Sequence, residues 1–105
     1  MLKWFDVKAV DAFADSVMAE VKRRMPPETL PMPDEKKSVR RLSRMTDVVS
    51  DQARAFARAN RLNVYKRARL ANRVKWGLRE LGYPDTFADA FAYELITLIT
   101  VSGRA

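Results

Sequence analysis

Apolar residues recur along the chain in steps of three and four, the spacing of one face of an α-helix, with no alternating run that would suggest a strand. Val7, Val10, Phe13, Ala14, Val17, Val21 and Met25 form the first such stripe. Asp6 precedes it as an N-cap, its carboxylate able to accept from free backbone N–H groups. Phe5 and Val10 have the spacing of a hydrophobic staple. Acids fall early in this helix (Asp6, Asp11, Asp15) and bases late (Lys22, Arg23, Arg24), as the helix dipole favours. Pro26 and Pro27 stop it. The stretch "PPETLPMPDEKK" then holds four of the five prolines and reads as an extended strap, with Leu30 and Met32 able to pack on the core.

The second stripe runs Val39, Leu42, Thr46, Val49, Ala53, Phe56 and Asn60, with Met45 and Ala57 beside it and a start near Asp34 or Ser38. Arg40, Arg44, Asp47, Asp51, Arg54 and Arg58 occupy the opposite side. Neither Gly nor Pro interrupts the chain from Asp34 to Trp76, so one very long helix is compatible with the pattern. Asn63 can cap a new helix, however, and a compact domain must turn back, which places a break at "RLN". The third helix then spans Val64 to Leu81, with Gly82 in the left-handed position and Pro84 beyond it.

The fourth helix begins in "PDTFAD", where Thr86 and Asp89 have capping-box spacing with Asp in place of the usual Glu or Gln. Phe87, Phe91, Leu95, Leu98 and Ile99 are its main stripe, with Phe91 and Leu95 expected to be fully buried. Ala90, Tyr93, Ile96 and Val101 make it apolar nearly all round, the mark of a central helix. Glu94 on such a helix would be buried and would need an Arg of the second or third helix as partner. The pattern as a whole predicts an all-α single domain over residues 1–105: four helices, with a Pro-rich strap joining the first to the second. "MLKWF" at the start reads as an apolar lid on the bundle, or as Trp4 and Phe5 presented to a partner.

Composition narrows the function. The chain has no Cys and no His, which excludes a zinc site, a Cys nucleophile, a His base and a disulfide framework. Asp11/Asp15, Asp47/Asp51 and Asp85/Asp89 are spaced four apart and could hold Mg²⁺ if brought together. Helix-surface salt bridges and first-turn acids account for them without a metal. The expectation is no metal, no cofactor and no catalysis. "MLKWFDVKAV" lacks the pattern of a secretory leader. "FADAFAYELITLITV" contains Asp89 and Glu94 and is shorter than the ~20 residues of a bilayer crossing. A cytoplasmic location without a membrane span is expected.

Charge is distributed unevenly. Residues 1–35 hold 5 basic and 7 acidic residues, residues 36–82 hold 14 and 3, and residues 83–105 hold 1 and 3. A strongly positive centre points to an anionic partner or to a compensating acidic subunit. On a third helix turning ~100° per residue, Val64, Leu70, Ala71, Val74, Leu78 and Leu81 cover the core face. Tyr65, Arg69, Asn72 and Trp76 align on a ridge almost opposite, flanked by Arg73 and Arg79. These residue types suit a protein interface, whose anchors are typically Trp, Tyr and Arg. They also suit nucleic acid, where Arg and Lys meet phosphates and aromatic rings stack on bases. The bland alternative is that Tyr65 and Trp76 belong to a second core seam, with the Arg stems passing them to reach water. No helix-turn-helix signature accompanies the ridge. The sequence therefore predicts a non-catalytic binding or assembly module that docks an acidic protein partner through this face. Nucleic acid is the alternative partner, and self-association is compatible with either.

Overall fold

Asp6 accepts from the Lys8 backbone N–H at 3.1 Å where the first helix, α1, starts, but the N-cap is Val7, without a side-chain cap bond, and not Asp6 as expected. In the computed structural model, which describes residues 6–29 and 35–103, α1 spans Lys8–Arg24, α2 Glu35–Ala59, α3 Val64–Glu80 and α4 Asp85–Ser102. No strand occurs among the described residues, and the domain is an all-α bundle of four helices. A short 3-10 turn at Pro27–Thr29 opens the segment after α1. The rest of the strap, with Leu30 and Met32, lies outside the described residues. So do the "MLKWF" lid, the Phe5 staple and the side chains of Val39 and Leu42.

The stops and starts read from sequence have local causes. Asn63 caps α3, its Oδ1 accepting from the Lys66 N–H at 2.8 Å. α2 therefore ends at Ala59 rather than running on. At the other end of α3, Gly82 has φ +102, a backbone state that L side chains rarely adopt. That conformation lets Tyr83 N–H reach Leu78 O at 3.1 Å and Gly82 N–H reach Arg79 O at 3.0 Å, a Schellman close. The capping box expected at Thr86 and Asp89 is absent. Pro84 is the N-cap, without a side-chain cap bond, and Thr86 already lies inside the first turn.

Helix directions follow from cross-contacts. Asp11 meets Arg69, Asp15 meets Arg73, and the Tyr83 hydroxyl donates to Met25 O at 2.6 Å, so α1 and α3 run parallel. Arg79 bonds Asp89 across the Gly82 turn, so α3 and α4 are antiparallel. Met45 shares a groove with Phe87, and Ala57 shares another with Ile99, so α2 and α4 are parallel. Phe13 stacks on Phe56 with ring centroids 4.2 Å apart, joining the start of α1 to the end of α2. The helices thus form a square in the order α1, α3, α4, α2, each packed mainly on two neighbours.

The core is apolar throughout. Val10, Ala14, Val17, Val21 and Met25 meet Met45, Val49, Ala53 and Ala57, with Leu70, Val74 and Leu78 of α3 and Ala88, Ala92, Leu95 and Ile99 of α4. Two expectations are corrected. The α2 seam is turned so that Met45 and Ala57 are fully inside and Thr46 is exposed. α4 is a corner helix rather than the central one: small Ala88 and Ala92 face inward, Phe87, Phe91 and Leu98 are half-buried, and Glu94 is exposed, not buried against an arginine. At 25 residues α2 is the longest helix, about 37 Å at 1.5 Å per residue. The fold extends 50 × 28 × 19 Å.

Candidate binding face

The question posed by the α3 ridge is answered by exposure. Trp76 is 54% exposed and Tyr65 42%, so neither belongs to a second core seam. Leu70, Val74 and Leu78 turn the helix's other side fully inward. This fixes the ridge outward.

A groove of about 860 Å³ runs between α1 and α3 beside Trp76. It brings together Arg69, Asn72, Arg73 and Trp76 from the predicted set, with Asp15, Met18, Gly77, Glu80 and Leu81 added by the fold. Tyr65 stands outside it, toward the start of α3, and Arg79 lies on the other side of Trp76, toward α4. Gly77 lies in the groove wall against Met18. A methyl there would run into Met18 Sδ, so the flexible Met18 side chain fills the space that a side chain at 77 would take and would have to move aside for one.

The arginines are not idle. Arg69 donates through Nε and Nη2 to the two carboxylate oxygens of Asp11, at 3.1 Å each, in a bidentate fork. Arg73 donates through Nε and Nη2 to Asp15, with a closest approach of 3.2 Å, and its Nε lies 3.8 Å from Asp11. On the α4 side, Arg79 Nη2 donates to Asp89 at 2.9 Å, and its buried Nε sits 3.3 Å from Asp85 without hydrogen-bond alignment. Lys75 lies 3.6 Å from Asp89. The Arg69 hydrogen bond holds the Asp11 carboxyl below its ordinary value, against the opposing effect of burial, with the charges of Arg73 and Arg69 assisting. The same bond raises the Arg69 guanidinium.

The flanks of α3 are therefore balanced, with Arg69, Arg73, Lys75 and Arg79 facing Asp11, Asp15, Asp85 and Asp89. Positive charge outside these pairs lies on α2 at exposed Arg40, Arg44 and Arg58, at exposed Arg61 beyond it, at Lys66 and Arg67 in the first turn of α3, and at Lys8 and Lys22 of α1. Of the Asp pairs whose spacing would suit a metal, Asp11/Asp15 and Asp85/Asp89 bridge helices, and Asp51 meets Arg54 on its own helix. No three carboxylates, His or Cys converge among the described residues. Trp76 is held by its neighbours: the Arg79 Cζ lies 4.7 Å and the Lys75 Nζ 5.5 Å from the ring centroid.

Sequence reasoning missed the partners of its own arginines. The signal was present as two matching four-residue spacings, Asp11/Asp15 and Arg69/Arg73, which form rungs at a constant separation of 58 residues once α1 and α3 lie parallel. No helix of the described residues is long and apolar enough to cross a membrane. The chain matches no protein-family model, and no curated protein or solved structure is significantly similar to it.

Proposed function

We propose that the chain is a non-catalytic helical binding module of the cytoplasm that docks a protein partner carrying acidic groups through the outer face of α3. The observation that carries this reading is Trp76, more than half exposed at the edge of a groove and held in place by two cations. A tryptophan placed this way is the side chain most often found as an interface anchor. Arg69 and Arg73 support it. Their forks are set by Asp11 and Asp15 through Nε and Nη2, which leaves each guanidinium further N–H donors for a partner's carboxylate. Exposed ion pairs of this kind contribute little to stability, so a partner's acid can share or replace them at small cost. The pairing of Arg69 and Arg73 with Asp11 and Asp15 favours protein over a polyphosphate chain at this flank, since affinity for such a chain depends on free cations.

Capture on the wild-type chain from extract of its native host tests the reading. Bound protein that persists after nuclease treatment is the expected result. Material that disappears with nuclease, together with a steep loss of DNA or RNA affinity as salt rises, would replace the protein partner with nucleic acid.

A further inference from the structure

Arg67 differs from the other arginines of α3. Arg69, Arg73 and Arg79 each face an aspartate, whereas Arg67 makes no ion pair among the described residues. It is half-buried, and of its five N–H donors one meets an acceptor among those residues, Leu62 O at 3.4 Å. Arg40, Arg44 and Arg58 also stand outside the ion pairs, but they are exposed on α2, where water satisfies them. A guanidinium partly withdrawn from water with most of its donors unmatched calls for an acceptor. Nine residues separate Arg67 from Trp76, which puts the two on opposite sides of α3. On the Arg67 side a pocket of about 290 Å³ opens where α2 ends, α3 begins and α4 finishes. Arg67 and exposed Arg61 line it together, and Arg61 too makes no ion pair among the described residues. Ala57, Leu62 and Ile99 give the pocket an apolar side. Asn60 stands beside them, its Nδ2 donating to Phe56 O at 3.1 Å with a second N–H to spare. No Asp or Glu among the described residues lines the pocket.

We infer that this pocket binds a small-molecule phosphate monoester, with Arg61 and Arg67 on the phosphate and the organic part against Ala57, Leu62 and Ile99. Charge selects the head group. Two guanidinium groups with no acid beside them match a phosphate monoester, which carries about −1.5 to −2 at pH 7, better than the single charge of a carboxylate. Shape agrees, because the planar fork of an arginine meets phosphate oxygens two at a time. Size limits the rest of the ligand. The pocket is at the lower edge of the roughly 300–1,000 Å³ typical of small-molecule sites, so it holds one phosphate and a compact apolar group rather than a polymer. Few precisely placed polar groups over an apolar wall are the ordinary make-up of such a site. The pocket lies away from the outer face of α3, and the inference does not rest on the function proposed for that face.

Isothermal titration calorimetry of the whole chain with phenyl phosphate tests it, beside inorganic phosphate and benzoate, with circular dichroism confirming that each variant is folded. Wild type should bind one phenyl phosphate per chain. Inorganic phosphate should bind more weakly because it leaves the apolar side uncovered, and benzoate more weakly because it brings a single charge. Arg61→Gln and Arg67→Gln should each weaken phenyl phosphate about tenfold or more, through loss of charged hydrogen bonds. Arg61 is exposed in a turn, so its variant keeps the test alive even if Arg67→Gln fails to fold. Arg44→Gln, at an exposed position on α2, should bind as wild type does. Absence of saturable phenyl phosphate binding overturns the inference. So does an affinity that Arg61→Gln leaves unchanged, one that Arg44→Gln lowers equally, or benzoate or inorganic phosphate binding as tightly as phenyl phosphate.

Discussion

Tyr83 shows how much a single side chain can fasten. It is buried just beyond α3, donates its hydroxyl to Met25 O at the end of α1, and stacks on Phe87 at the start of α4, with centroids 5.2 Å apart. Burial, with the charge of Glu28, pushes its hydroxyl from 10.0 up to about 12. A raised folded-state value means that this contribution is complete below pH 10.0 and is lost as pH climbs toward about 12. Wild type should therefore lose stability across that interval in urea melts, and Tyr83→Phe should lose less of it. At neutral pH the same substitution should cost about 1–3 kcal/mol, since Met25 O loses its partner. Asp11 works with the opposite sign. Its lowered value gives stability present above its ordinary 3.8 and lost as pH falls below it, and Asp11→Asn should flatten that acid limb. Asn63 and Gly82 were legible in the sequence because capping and positive φ are decided within a few residues. The exposure of Glu94 was not, because it depends on which helices stand beside α4.

At the scale of the element, α4 separates composition from position. Its apolar circumference implied a central helix, but the residues that reach the core are Ala88, Ala92, Leu95 and Ile99, while the larger Phe87 and Phe91 lie along the groove edge. Helical periodicity identifies apolar residues, and it cannot rank two apolar arcs of one helix. Leu95→Ala should accordingly destabilise by about 2–5 kcal/mol, through lost burial and a cavity with few ways to close. Phe91→Ala should cost less than Leu95→Ala, though it removes a larger side chain. Chemical denaturation of the two variants side by side checks the order, and the reverse order would place Phe91 in the core. On α3 the arc was read correctly for Leu70, Val74 and Leu78, because polar and charged residues there leave only one apolar face, but Val64, also expected in it, is the helix's first residue and is 70% exposed.

For the whole molecule, the sequence disclosed four helices and a positive centre but not the order α1, α3, α4, α2 around the square. That order decides where charge is spent. It lays Asp11 and Asp15 along one flank of α3 and Asp85 and Asp89 along the other. Reversing Arg69 and Arg73 to Glu would set new acids against Asp11 and Asp15 and damage the fold along with any binding. Neutral Arg69→Gln with Arg73→Gln is the informative pair. It should lower the melting temperature slightly at low salt and scarcely at high salt, since screening already weakens exposed ion pairs.

The central claim is that α3 presents Trp76 outward as a docking anchor, and Trp76→Ala tests it most directly. The measurement is capture of partner protein from one nuclease-treated extract by wild type and by Trp76→Ala, with a thermal melt of each bait. The account predicts a melting temperature close to wild type, a stability loss below about 1 kcal/mol, and loss of most captured protein. A large drop in melting temperature, or undiminished capture by a well-folded Trp76→Ala bait, would contradict it.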